Sequence, residues 1–248
     1  MVITQNQIKH TRSLQQKKYR QEFNQFIIEG FRTIDEALMA KGQITDAFIE
    51  ESLLENSQYH QLVHLLTQRN IPIYKTSQKQ MKEMSDTKTP SGILAVCSIP
   101  KADDKAGGNW LYLDEISDPG NAGTLLRTAA WFNVPNVCFS KGCVDPYSPK
   151  TVRSGMGAHF YLNILVDTKI DQISSNSIVL GAGMEGEEPS GLEINEPWIL
   201  ALGSEAHGLS DQISPHIDTV ISIPKLGNGE SLNVAVAGGI IIRDLTKK

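Results

Sequence analysis

The chain has 248 residues, 40% hydrophobic and 21% charged, with a formal net charge of −5, a composition that supports one large or two small folded domains and excludes a disordered chain. Its longest apolar stretch, 234–242, falls well short of the roughly 18 residues a membrane-spanning helix needs, and residues 1–10 lack the apolar core of a signal peptide. Cys97, Cys138 and Cys143 cannot all pair within one chain and form no zinc-type cluster with histidine, so a cytoplasmic, reduced protein with no membrane segment and no metal is expected.

In chain order, residues 5–25 carry spaced apolar side chains (Ile8, Leu14, Tyr19, Phe23) among long polar ones and predict a lightly amphipathic helix. Residues 1–21 hold five basic side chains, Lys9, Arg12, Lys17, Lys18 and Arg20, and no acid. Such an arm is either a nucleic-acid footprint or a solvated helix face. Residues 31–41 predict a helix stopped by Gly42. Residues 47–50 predict a strand, 59–69 a helix with Leu62, Leu65 and Leu66 on one face, and 71–74 and 93–99 two more strands. The alternation predicts a small α/β domain over 1–100. Residues 101–109, with charges and a Gly107–Gly108 pair, form the predicted linker to a domain over 110–248. There, strands at 111–113, 137–139, 161–166, 178–182, 198–202 and 220–223 and helices at 124–132 and 232–245 predict a mostly parallel sheet with helices on both faces. Charge divides along the same line, with a net of +2 over 1–100 and −7 over 101–248.

Three glycine-rich turns fall at the carboxyl ends of predicted parallel strands, the edge where open α/β sheets bind ligands. The first is LDEISDPGNAGTLLRTAAWFNV, 113–134, where Asn121 is the expected N-cap and Arg127 the polar residue off the apolar stripe, about one turn into the helix. The second is WILALGSEAHGLS, 198–210, in which small residues permit close backbone approach and Glu205 offers one carboxylate. The third is ISIPKLGNGESLNVAVAGGIIIRDL, 221–245, where Ser231 is the expected N-cap of a helix apolar nearly all round. A helix with no polar face belongs in a core or a subunit interface. Two other motifs are rejected. Residues 181–186 spell GAGMEG, but the acidic, proline-containing run that follows cannot open the helix a dinucleotide fingerprint needs. Neither Ser204 nor Ser231, with His207, sits in a hydrolase nucleophile elbow.

Together, in order and spacing, the three motifs resemble motifs 1, 2 and 3 of the SpoU (TrmH-like) RNA 2′-O-ribose methyltransferases of the SPOUT superfamily. The resemblance spans about 110–246 and includes DPYSPKTVRSGMGAHF, 145–160. Residues 6–38 are similar to the ribosomal-protein-like substrate-binding domain of members acting on ribosomal RNA. In motif 2, where members often have Gly-Asn-Glu-Gly, this chain has Gly203-Ser204-Glu205-Ala206.

The resemblance implies an α/β fold whose carboxyl-terminal domain carries a deep trefoil knot, a homodimer packed through the last helix, and S-adenosylmethionine as cofactor. It implies cofactor contacts at Gly181, Ala182 and Gly183, at Leu202, Gly203, Ser204, Glu205 and Gly208, and at Ile223, Leu226, Ser231, Leu232 and Asn233. Arg127 takes the place of the catalytic arginine near the ribose hydroxyl. Asn121 supports it, Glu205 and Ser231 complete the polar site, and Asn233 braces the loops. Lys150 and Arg153 lie near the RNA, with the basic arm adding phosphate contacts. Guanidinium groups stay charged in proteins, so Arg127 is expected to orient the hydroxyl and clamp a phosphate, with that phosphate favoured over Arg127 as proton acceptor. The implied substrate is ribosomal RNA or transfer RNA, with ribosomal RNA favoured by the similarity of the amino-terminal domain. The alternative is an RNA-binding or ribosome-assembly protein on the same fold without significant catalysis.

Overall fold

The computed structural model of the protein describes residues 1–40, 42–173 and 176–247; Lys41, the end of the helix expected over 31–41, lies outside them. Contacts divide the chain into two units, Met1–Lys101 with Tyr147–Phe160, and Ala102–Pro146 with Tyr161–Lys248.

In the first unit, helix α1 (Gln5–Ser13) opens on a capping box: the Gln7 amide donates to Thr4 Oγ1 at 3.3 Å and the Gln7 side chain accepts from Thr4 N at 2.9 Å. The single helix expected over 5–25 is two helices and the start of a strand. Leu14 is completely buried, the chain turns there, and α2 (Lys17–Phe23) ends at Asn24, whose φ of 52° is left-handed. Strand β1 (Gln25–Glu29) then buries Phe26, Ile27 and Ile28. Helix α3 (Phe31–Met39), strand β2 (Ile44–Glu50), helix α4 (Ser57–Gln68) and strand β3 (Ile73–Thr76) follow. Helix α5 (Gln78–Met84), not expected from the sequence, is set by a Ser77–Gln80 capping box and by burial of Met81 and Met84. Strand β4 (Ile93–Ser98) completes a sheet of order β1-β4-β2-β3, with β4 antiparallel to both neighbours and β3 parallel to β2.

Strand β5 (Trp110–Leu113), helix α6 (Pro119–Trp131) and strand β6 (Asn136–Phe139) belong to the second unit. The chain then returns to the first unit for helix α7 (Pro149–Gly155), capped by Ser148 with Pro149 at its first position. A single boundary at 101–109 does not describe this excursion. Its physical cause is packing: the rings of Tyr147, His159 and Phe160 lie 5.0, 6.2 and 5.8 Å from that of Phe26, and Arg153 donates to both carboxylate oxygens of Asp86 through Nη1 and Nη2. Gly157, with φ of +91°, passes so close to α3 that a Cβ there would sit 2.6 Å from the Glu36 Cβ.

The second unit continues with β7 (Asn163–Val166), β8 (Ile178–Glu187), β9 (Trp198–Leu202), β10 (Thr219–Ile221) and helix α8 (Val234–Leu245). The six strands form one sheet of order β10-β8-β9-β5-β6-β7, and every pairing is parallel. Strands β5, β6 and β9 are buried at every position, as expected of apolar strands covered on both faces. The chain runs outward from β5 to β6 and β7, then fills the other side of β5 with β8, β9 and β10. The strand order therefore reverses between β5 and β9, and the loops leaving these two strands flank the reversal, where doubly wound sheets bind ligands. The GAGMEG run lies inside β8, not in a turn opening a helix, which removes the dinucleotide-fingerprint geometry.

Candidate active site

Three loops of the second unit meet at the strand reversal. After β5, Asp118 caps α6 by accepting from the Asn121 amide at 2.8 Å, and Pro119 takes the first helical position. This corrects the expectation that Asn121 is the cap. Asn121 lies inside the first turn, and its side chain donates to Glu205 Oε1 at 2.7 Å, across 84 residues of sequence. The Asp118-Pro119 pair carried the capping signal. The same shift puts Arg127 nine residues past the cap, about two and a half turns into the helix rather than one. Arg127 is exposed there, on the face it shares with Trp131 at the i, i+4 spacing.

After β9 the backbone folds tightly on itself. The Ser204 amide donates to the Gly208 carbonyl at 2.9 Å, and the Gly208 amide returns a bond to the Ser204 carbonyl at 2.8 Å. Gly203 makes this possible: a Cβ there would lie 2.1 Å from the Gly208 carbonyl carbon. The Ser204 hydroxyl accepts from the His207 backbone amide at 3.2 Å, so it closes the turn and is not set against an imidazole. Asp114, a buried carboxylate that sequence reasoning did not single out, fixes the turn to the sheet. Its amide donates to the Leu202 carbonyl at 2.8 Å, and its Oδ2 accepts from the Ser210 amide at 2.7 Å. An aspartate directly after a buried strand in a chain with three glycine turns was the available signal.

Before α8, Asn233 and not Ser231 is the cap. Its Oδ1 accepts from the Ala235 and Val236 amides at 3.0 and 3.3 Å. Its Nδ2 donates to Glu205 Oε1 at 2.8 Å and to Asn121 Oδ1 at 3.0 Å. Asn121, Glu205 and Asn233 thus form a closed hydrogen-bonded triangle drawn from all three motifs. Glu205 Oε2 has no bond among the described residues and is left as an acceptor. Ser231 stays in the exposed loop before the cap.

The remaining expected positions fall into two groups. Ile223, Leu226 and Leu232 lie in the same loop as Ser231, with Leu226 99% and Leu232 51% exposed. Nothing lies within 4 Å of a Cβ built on Gly227 or Gly229. Gly181, Ala182 and Gly183 lie along β8, and the space beside Gly181 is filled by Leu209 and Ile217. In the first unit, Lys9, Arg12, Lys17 and Lys18 are exposed on α1 and α2, and Lys150 on α7. Arg20 is a correction: it is 3% exposed, and its guanidinium donates to the Leu14 carbonyl at 2.7 Å, fastening the break between α1 and α2. Buried in that way, it presents no charge to an RNA backbone. Arg153 is half-exposed and engaged by Asp86.

The matches to known proteins divide the chain once, between residues 95 and 109, and include residues 147–160 in the carboxyl-terminal match. Residues 109–243 match the SpoU rRNA Methylase family, and residues 5–95 match the MRM3-like substrate binding domain. The protein belongs to the SpoU rRNA methylase family. Over 243 residues it is 28% identical to the 23S rRNA (guanosine(2553)-2′-O)-methyltransferase RlmP of Bacillus subtilis, covering 96% of this chain and 95% of that one. It is 36% identical over 169 residues to the mitochondrial rRNA methyltransferase 3A of Danio rerio, covering 64% of this chain and 38% of that one. A TrmH-family protein from Porphyromonas gingivalis superposes with a TM-score of 0.84 at 30% identity, covering 99% of this chain and 98% of that one. An AdoMet-bound rRNA methyltransferase from Sinorhizobium meliloti shares the fold, with a TM-score of 0.82 at 24% identity, covering 99% and 96% of the two chains.

Proposed function

We propose that this protein transfers a methyl group from S-adenosylmethionine to a ribose 2′-hydroxyl of ribosomal RNA in the cytoplasm. The observation that carries the reading is the Asn121–Glu205–Asn233 triangle at the strand reversal of a SpoU-family sheet. Ribosomal RNA is favoured over transfer RNA by the substrate-binding match over residues 5–95 and by the full-length likeness to RlmP.

The loops fit the cofactor. The Gly203–Gly208 turn and the 223–233 loop are tied together by Asn233 and Glu205, and they combine backbone groups, the open Oε2 of Glu205 and the exposed apolar side chains of Leu226 and Leu232. A ligand with an aromatic base and a charged rim matches that mixture. When bound, S-adenosylmethionine supplies an electrophilic methyl group on a sulfonium. The chain's own residues orient the acceptor: Arg127 holds the ribose hydroxyl and an adjacent phosphate, and that phosphate takes the hydroxyl proton. Orientation of this kind supplies about 7–11 kcal/mol toward a bimolecular barrier.

The same reading includes a deep trefoil knot in the second unit and a homodimer. Trp131 on α6 is 81% exposed and Val236 on α8 is 52% exposed, while α6 and α8 pack together through Leu125 and Gly238. Exposed apolar side chains on two packed helices suit a second copy of the chain.

Labelled S-adenosylmethionine, with unmodified ribosomal and transfer RNA as acceptors, tests the function when wild type and Arg127→Ala are compared after nucleoside digestion. A 2′-O-methyl nucleoside from ribosomal RNA, made by wild type alone, is expected. Absence of both product and cofactor binding overturns the enzyme reading and leaves an RNA-binding protein on this fold.

A further inference from the structure

The first unit contains an open cavity of about 600 Å³ whose walls come from α5, the 88–92 loop and the end of β2. Lys79 and Lys82 project from α5 at i, i+3 spacing, and Lys88 comes from the loop. All three are exposed, and among the described residues none makes an ion pair or a side-chain hydrogen bond. Glu50 is the one acid among the lining residues. The volume falls within the ordinary range for ligand sites, roughly 300–1,000 Å³.

The loop that carries Lys88 is pinned at both feet by one carboxylate. Glu29, at the end of β1, accepts from the Ser85 hydroxyl at 2.6 Å, the Thr87 hydroxyl at 3.3 Å and the Ser91 amide at 3.0 Å. The backbone bearing Lys88 and Thr89 is therefore held over the cavity. Three ammonium groups around one concavity repel each other, and the fold provides little to offset them. A bound polyanion would. Lysines address phosphate as point charges and carry no base information, so such a site positions a strand without reading its sequence.

We propose that this cavity is a phosphodiester-binding subsite for the RNA substrate, separate from the basic residues of α1 and α2. The proposal rests on the RNA-substrate reading above. It is supported by the position of all three lysines within the stretch matched to a substrate binding domain.

The test uses the full chain with Lys79, Lys82 and Lys88 all changed to Gln, and separately all changed to Arg. RNA binding is measured across a salt series, cofactor binding by calorimetry, and methyl transfer at saturating cofactor. The Gln variant is expected to bind RNA at least about tenfold more weakly and to lower the magnitude of the salt slope by roughly two units, near 0.7 per lost single-strand phosphate contact. KM for RNA rises while kcat and cofactor affinity hold, and the Arg variant recovers most of the binding. Wild-type affinity and salt slope in the Gln variant overturn the inference. Lysine-dependent RNA binding without any methyl transfer overturns the proposed function and leaves this subsite standing. A wild-type chain that does not bind RNA overturns both. Lysine-dependent binding of AMP or inorganic phosphate, with RNA binding unchanged, reassigns the cavity to a small phosphate ligand and overturns the inference.

Discussion

Asn233 joins the start of α8 to Glu205: its Oδ1 caps the helix at Ala235 and Val236 while its Nδ2 donates to the Glu205 carboxylate at 2.8 Å. One side chain thereby couples helix stability to the shape of the Gly203–Gly208 turn. Asn233→Ala removes all four of its side-chain bonds, to Ala235, Val236, Glu205 and Asn121, and is expected to cost about 1–2 kcal/mol of stability, with loss of cofactor binding. Asn233→Asp keeps a capping oxygen but sets two carboxylates against each other. It should stay closer to wild type in urea denaturation while still losing cofactor affinity, and Glu205→Gln in the same chain should restore part of it. Equal stability losses for Ala and Asp would show that the cap does not matter here.

Gly203 allows the chain to double back on Gly208. In Gly203→Ala the new methyl would lie 2.1 Å from the Gly208 carbonyl carbon, so the turn must open. The expected result is a folded protein destabilised by about 1–3 kcal/mol whose calorimetric titration with S-adenosylmethionine shows no binding. Retained binding would mean that the turn is not part of the cofactor site.

Arg20 serves the fold rather than the RNA. Arg20→Gln gives up a buried guanidinium bond to the Leu14 carbonyl and is expected to cost about 1.5–3 kcal/mol in chemical denaturation. Lys18→Gln, at an exposed position of the same helix, should leave stability within about 0.5 kcal/mol and act only on RNA affinity.

The thiols set an alkaline limit. Burial raises Cys138 to about 12, with Cys143 adding to the effect, and burial also lifts Cys97 and Cys143 above the usual thiol range. Above about pH 8.5 the unfolded chain releases thiol protons that the folded chain retains, so ν_U falls below ν_N and stability declines as pH rises. Below that pH both states are protonated and these groups contribute no slope. Tm is expected to be flat in these groups from pH 7 to about 8.5 and to fall beyond, less steeply in Cys138→Ala. Alkylation of the native protein at pH 8 should be slow at Cys97 and Cys138 and rapid once it is unfolded. A Tm that holds to pH 10.5 would contradict the assignment.

Some of this was legible without coordinates. Buried apolar runs such as 111–113 and 198–202, each spaced by helical segments, already specify a parallel sheet, because such strands must be covered on both faces. Glycines at strand ends marked the turns, since only they permit the close approach seen at Gly203. Caps were misread at two sites, Asn121 for Asp118 and Ser231 for Asn233, because several good capping residues stand side by side and the choice is made by what the other side chains bond. Strand β1 escapes the sequence reading because it adjoins a stretch whose spaced apolar residues read as one helix, and α5 because its seven residues make less than two full turns of periodicity.

The amino-acid sequence by itself determined the strands of the parallel sheet and the three turns with their chemistry, since these depend on neighbours within a few residues. Only the tertiary structure decided that Asn121, Glu205 and Asn233 touch, that Arg20 points inward, and that residues 147–160 leave the sheet they adjoin in sequence to pack on Phe26. The triangle and the Phe26 packing depend on bonds and contacts across 84 and 112 residues and more, while the inward turn of Arg20 depends on a bond to Leu14 six residues away, which the break between α1 and α2 brings into reach. Local propensity contains no information about which distant partner will satisfy a buried donor; the sheet order does.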